Sequence, residues 1–259
     1  MKSSKRYLLT SLAAAFAALM ACGQGENAVR TTPPPAPPAP AVTVVNGAGR
    51  ADICRALAAR LGADVKTTFS ERRVAEGRLD YGLATTSILA DPANLARANE
   101  IRDKLGVGAV TAQAGLKDIQ VVVGWDAAAE PPAGAPTDGV LVSKAEKAVF
   151  FYRGGKLANV WPCAIGKPAS PTPAGTYEVT VTLAKPTWYW QGKAIPPGPD
   201  NGLGDWFIGI NKKGYGLHGT NEPESIGTAA SHGCIRMYNE DAGALVALVH
   251  AGTPVVITE

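Results

Sequence analysis

Histidine and cysteine are scarce in this sequence, three and four residues respectively, so chemistry that needs them has few places to reside. Neither sign of charge dominates once the first residues are set aside. Lys2, Lys5 and Arg6 lie within residues 1–21, which hold no acidic residue. Without them the 25 basic residues fall to 22, equal to the 22 acidic ones. A formally neutral body with no clustered basic surface excludes a nucleic-acid-binding role, which requires one. A membrane-spanning run is missing as well. The apolar stretch from Tyr7 to Met20 is shorter than the roughly 20 residues a spanning helix needs. Residues 42–126 contain no acid–base pair, metal cluster or phosphate loop.

What is present is concentrated. Tyr215 to Arg236 holds two of the three histidines and one of the four cysteines. A thiol is an acyl-transfer nucleophile only as the thiolate, and a free one, with a pKa of about 8.5, is mostly protonated at neutral pH. A histidine beside it supplies the base. Gly233 precedes Cys234, where an amide can approach a developing oxyanion with no Cβ in the way. These features make Cys234 the candidate nucleophile. Two candidates exist for the base. His232 is two residues from Cys234, on the same face if the segment is a strand. His218 comes alongside if the segments around 215–218 and 231–236 pair as neighbouring strands. The same three side chains also match three zinc ligands, but no fourth stands at standard spacing apart from Glu222 or Glu224. No metal or cofactor is expected.

The pattern G-L-H-G-T-N, a spacer from Gly219 to Ala230, then S-H-G-C-I-R resembles the signature of the L,D-transpeptidase (YkuD) family. That resemblance implies His218 as the base, oriented by the backbone carbonyl of Gly219. It implies Cys234 as the acylated residue and the amides of the His232–Cys234 turn, Gly233 included, as the oxyanion hole. Many members have a slightly longer spacer and Asn two residues after the cysteine. Here that position is Arg236, as in the branch that includes the enterobacterial envelope enzymes. The resemblance implies peptidoglycan stem peptides as substrate and carbapenems as covalent inhibitors.

The start of the chain reads as an export signal: a basic segment, a short apolar run and small residues. Leu19-Met20-Ala21-Cys22-Gly23 looks like a bacterial lipobox, which implies cleavage after residue 21 and a lipid on Cys22. The expected location is the cell envelope, lipid-anchored and facing the periplasm, with the outer membrane as the anchor. The Pro-rich run Thr31–Pro40 favours polyproline II at about 3.1 Å per residue, a tether (residues 22–41) that holds the body roughly 30 Å from the bilayer. With Cys22 lipidated, Cys54, Cys163 and Cys234 remain, an odd number that leaves at least one free thiol. Cys54 and Cys163 are expected as separate buried thiols.

The expected fold class is α+β. A small α/β domain over residues 42–126 opens with a strand at Val42–Val45. A helix follows with the stripe Ile53, Leu57, Leu61 and a stop at Gly62. A strand is expected at Val65–Phe69, a helix begun by Asp91-Pro92 and stopped at Gly106, and a strand at Ile119–Val123. Its V-T-V-V-N-G-A-G opening, D-P-A-N-L-A-R-A segment and I-Q-V-V-V-G-W-D close resemble the LytR C-terminal domain, with positioning or binding of an envelope protein partner as its expected role. Residues 127–137 read as a linker.

From 138 to 259 short strands at close spacing indicate a sandwich or barrel. I-G-K-P and T-P-A-G-T-Y also resemble the YkuD domain. Asn239 is placed to cap a helix buried through Leu245, Leu248 and Val249 and stopped at Gly252, with His250 a surface residue in its last turn. Lys185 to Asp205 reads as a long loop, which inside a compact domain points to function. Its Trp188, Tyr189 and Trp190 suit a wall for sugar rings and apolar stems. Ser231, Tyr215 and Arg236 complete the candidate substrate contacts, Arg236 as a bidentate partner for a carboxylate or, alternatively, in a structural ion pair.

Overall fold

A computed structural model describes residues 38–63, 65–128 and 132–259. The export signal, Cys22 and most of the Pro-rich tether lie outside the described residues. Among those described, no helix is long and apolar enough to cross a membrane.

The fold is α+β and mainly β. Its first sheet holds β1 (Val42–Asn46), β2 (Thr67–Glu71), β3 (Ser87–Ala90), β4 (Ala109–Ala112) and β5 (Ile119–Val123) in the order β2-β1-β5-β3-β4. Only the β3–β5 pairing is antiparallel. Helices α1 (Ala51–Leu61) and α2 (Leu95–Leu105) cover it. The stripe Ile53, Leu57 and Leu61 is buried because residues four apart share a helix face. The expected strand at Val65–Phe69 begins two residues later, at Thr67. Pro92 opens a single 3-10 turn, capped by Asp91 accepting from the Ala93 amide, and α2 proper starts at Leu95. Strands β3 and β4 were not foreseen. Each has only four residues, too few for the period-two pattern to stand out.

The second sheet has eight strands, in the order β16-β14-β13-β10-β17-β6-β7-β8. They are β6 (Gly139–Ser143), β7 (Ala148–Arg153), β8 (Lys156–Pro162), β10 (Gly175–Ala184), β13 (Trp206–Ile210), β14 (Gly216–His218), β16 (Ile235–Arg236) and β17 (Pro254–Thr258), with the two-residue β9 (Ile165–Gly166) outside it. β10 joins the two halves. Gly175–Glu178 pairs with β17 and Val179–Ala184 with β13, with a register shift between Val179 and Val181 inside the second pairing. Such a shift bends a strand, and the halves enclose a core that includes Val142, Phe151, Ile208, Leu217 and Ile235. Helix α3 (Asn239–Val246) adds Ala242 and Leu245. It ends earlier than expected, so Leu248, Val249 and His250 lie beyond it. Asn239 does not cap it: the N-cap is Tyr238, and no side chain makes a cap bond.

A further cluster joins the two sheets. Tyr81 is buried among Leu141, Phe150, Tyr152 and Val160, with Trp125 packed on both this cluster and the first core. Ala127 and Ala128 of the expected linker pack on the first core, and Ala135 packs on the shared cluster. Arg78 lies 4.4 Å over the Tyr238 ring and 3.3 Å from Asp241 at the start of α3. Cys54 and Cys163 are free and buried, and burial pushes the Cys54 thiol up to about 12.

Candidate active site

Strand pairing assembles the site. β14 runs parallel to β16, with Leu217 opposite Ile235 and His218 opposite Arg236. Cys234 directly precedes β16, so this pairing brings it close to the end of β14. His218, Cys234 and Arg236 all line one cleft of about 470 Å³, together with Trp188, Trp190 and Phe207.

His218 is buried, and its Nδ1 lies 2.5 Å from the carbonyl oxygen of Gly219. A carbonyl only accepts, so Nδ1 carries the proton and Nε2 is left as a base. Burial lowers the imidazole to about 4, against the opposing pull of the Gly219 bond. His218 is therefore neutral at neutral pH. Its ring stacks on Phe207 at 6.5 Å between centroids.

Cys234 is part-buried, and its Sγ lies 3.5 Å from the Gly214 carbonyl. Burial raises the thiol above its ordinary value, opposed by the Gly216 backbone and by Arg236. With the thiol raised and the imidazole lowered, both groups in the cleft rest neutral instead of as thiolate and imidazolium.

The turn before Cys234 is bent, not extended. Gly233 has φ +120, a region essentially reserved for glycine, and a Cβ there would meet Tyr215 Cε1 at 2.8 Å. The premise that His232 and Cys234 share a strand face therefore fails. His232 is exposed, with Nε2 3.3 Å from Lys167 Nζ and its ring 5.2 Å from Trp190. Ser231 is buried. Its hydroxyl accepts from the Gly233 amide at 3.0 Å and donates to the Cys234 carbonyl at 2.5 Å. Because the Gly233 amide is engaged in this way, the amides of His232 and Cys234 are the ones with no hydrogen-bond partner among the described residues. Tyr215 packs beneath this turn instead of lining the cleft.

Arg236 pairs through Nη1 with Glu222 and lies 3.3 Å from Ser225 Oγ. The structural ion pair is thus formed, while the guanidinium still borders the cleft. The expected long loop contains a hairpin, β11 (Trp188–Trp190) and β12 (Lys193–Ile195). Trp188 and Trp190, on one face of β11, stack at 5.4 Å, whereas Tyr189 is 79% exposed; all three line the cleft.

Two supporting residues were not singled out in the sequence, although Thr172 lies in the T-P-A-G-T-Y stretch. Thr172, from the T-P-A-G turn, accepts from the Gly166 amide and donates to the Gly233 carbonyl, each at 2.8 Å. Asn201 is fully buried; its Nδ2 contacts the carbonyls of Pro186, Ile195 and Pro196, and its Oδ1 accepts from the Leu203 amide.

Comparison with known proteins identifies the family. The family model of the L,D-transpeptidase catalytic domain (YkuD) matches residues 137–257. The Putative L,D-transpeptidase YqjB of Bacillus subtilis is 38% identical over 141 residues, 52% of this chain and 78% of that protein. The chain belongs to the L,D-transpeptidase (YkuD) family. Putative L,D-transpeptidase YkuD of Bacillus subtilis is 34% identical over 46% of this chain and 64% of its own length. Probable L,D-transpeptidase YbiS of Escherichia coli is 34% identical over 46% of this chain and 44% of its own. The chain thus spans less than two thirds of the length of these last two relatives. The matched family domain contains His218, Ser231, His232, Gly233, Cys234 and Arg236.

Proposed function

We propose that the protein is a cysteine-dependent L,D-transpeptidase acting on peptidoglycan stem tetrapeptides. One observation carries the reading: a part-buried cysteine and a neutral histidine, whose Nε2 has no hydrogen-bond partner among the described residues, line the same aromatic-walled cleft. His218 Nε2 takes the thiol proton as Cys234 Sγ attacks the carbonyl of the third stem residue. The negative charge that develops on the carbonyl oxygen is held by the His232 and Cys234 amides, where preorganised donors act most strongly. The intermediate collapses, the C–N bond breaks, and His218 returns the proton to the departing D-alanine amine. A thioester remains. An acceptor amine then attacks it, gives its proton to His218, and displaces the thiolate to form the cross-link. Water in place of the amine makes the same site an L,D-carboxypeptidase, and a lipoprotein lysine makes it a protein-to-wall ligase. A catalytically inert wall-binding lipoprotein is the reading from another class.

Trp188 and Trp190 offer flat faces to the substrate, and Arg236, held by Glu222, sets the field at the reacting pair. The lipobox-like segment at Cys22 supports a lipid anchor in the cell envelope, with residues 42–126 as a separate domain positioning the enzyme or meeting an envelope partner. No cofactor, metal or nucleic acid takes part in this scheme. Intact mass spectrometry of the protein with purified disaccharide-tetrapeptide, and separately with a carbapenem, is the test. The expected result is a covalent adduct and release of D-alanine in the wild type and neither with Cys234→Ala. Turnover by a folded Cys234→Ala protein sinks the covalent mechanism; no adduct and no product from the folded wild type favours the inert wall-binding protein.

A further inference from the structure

We infer that Asn239 is a positioning residue for His218, because it pins the peptide unit whose carbonyl orients the imidazole. The Gly219 C=O and the Thr220 N–H belong to one planar trans unit, so they point in opposite directions and turn together. The carbonyl end meets His218 Nδ1 at 2.5 Å, and the N–H end donates to Asn239 Oδ1 at 3.1 Å. Asn239 Nδ2 donates to the Thr220 carbonyl at 3.1 Å, so the residue after the unit is held from both sides. The remaining lone pair on Oδ1 accepts from the Asp205 amide at 3.1 Å. The Gly219 amide, on the other side, donates to the Trp206 carbonyl at 2.9 Å.

Two further features show that the backbone is built around this amide. A Cβ at Gly219 or at Gly204 would fall on Asn239 Oδ1, so both neighbours are residues that permit the approach. Asn at the start of a helix ordinarily serves its own helix, whereas here α3 has no side-chain cap bond. The Asn239 side chain is instead directed entirely at the segments around residues 205 and 220.

The chemical consequence concerns the tautomer. If the unit is released and flips, an N–H faces Nδ1 in place of a carbonyl. The imidazole then carries its proton on Nε2 and has no lone pair for the thiol. A triad histidine held in the wrong tautomer loses about 10⁴ in rate in the serine-protease case.

The rate part of the test rests on the proposed roles of His218 and Cys234, whereas the tautomer part does not. With three histidines in the chain, two-bond ¹⁵N–¹H correlation spectra of the imidazoles are assignable using His232→Gln and His250→Gln. In the wild type His218 is expected as the pure Nδ1–H tautomer. Asn239→Ala is expected to shift it toward Nε2–H and to slow formation of the Cys234 adduct by at least about tenfold, with KM changed by less than about threefold. Asn239→Asp, which keeps an acceptor for both amides, is expected to retain the Nδ1–H form. Should the alanine variant fail to fold, Asn239→Gln takes its place, keeping a polar group but carrying the amide one methylene too far. A wild-type tautomer in the folded Ala or Gln variant, with or without a slower rate, overturns the inference. A shifted tautomer with no Cys234 chemistry in any variant upholds it while overturning the proposed function.

Discussion

His218 and Cys234 owe their behaviour to burial more than to each other. Burial lowers the imidazole to about 4 and raises the thiol, so base strength comes from a neutral ring whose outer proton is held by Gly219. In the proposed mechanism adduct formation needs that neutral ring, so its acid limb is expected at about pH 4, below the ordinary histidine value of about 6.5. A pH series of adduct formation, read by mass, checks this; a limb at 6.5 would mean that His218 is not the base. The same shift links to folding. Between about 6.5 and 4 the unfolded histidine takes up a proton that the folded one refuses, so its contribution is complete above 6.5 and lost as pH falls toward 4. Urea titrations of wild type and His218→Gln across that window should show a stability difference that shrinks on acidification. Because the resting thiol is neutral, a merely reactive cysteine does not distinguish an active protein from an inert one. Dependence on His218 does.

Among the elements, the β11–β12 hairpin depends on Asn201. Three carbonyls and one amide from the segment 186–203 converge on this buried side chain, and a buried polar group left without its partner costs about 1–3 kcal/mol. Asn201→Ala is expected to speed amide exchange across 186–203. It should also raise KM for the tetrapeptide while leaving kcat little changed, because the aromatic wall is displaced but the thiol and imidazole are not. Unchanged exchange over that segment would remove Asn201 from this role. The Ser231–Gly233–Thr172 network supports the neighbouring element in the same way: three hydrogen bonds keep Gly233 at a positive φ.

At the scale of the molecule, Tyr81 ties the two sheets. It is buried in the cluster formed with Leu141, Phe150, Tyr152 and Val160, and its carbonyl accepts from Trp125 Nε1 at 2.8 Å. Truncating a buried aromatic costs about 3–5 kcal/mol, so Tyr81→Ala is expected to lower the unfolding free energy by that order, read as a lower urea midpoint. The wild type is expected to unfold in one transition and the variant in two. A variant that still unfolds in one step at the wild-type midpoint would show that the sheets are not coupled through this residue. Arg78, over Tyr238 and beside Asp241, forms a second tie at the start of α3.

Local chemistry was readable from the chain alone. The α1 stripe, the helix stops at Gly62 and Gly106, and strands β1 and β5 follow from periodicity and turn residues, which are properties of neighbours in sequence. The expected pairing of His218 with Cys234 rested on the resemblance of their two short glycine-bearing motifs to the L,D-transpeptidase family. The choice of His218 over His232 was not readable from composition. The bend at Gly233 removes the shared strand face and leaves His232 exposed beside Lys167, still on the lining of the cleft, while the parallel pairing of β14 with β16 brings His218 to that same cleft. Arg236 meeting Glu222, Thr172 meeting Gly233, Asn201 gathering its loop and Asn239 leaving its helix were likewise decided only by the tertiary structure. A buried polar side chain bonds to whatever backbone the fold brings within about 3 Å, and that backbone comes from segments distant in the chain.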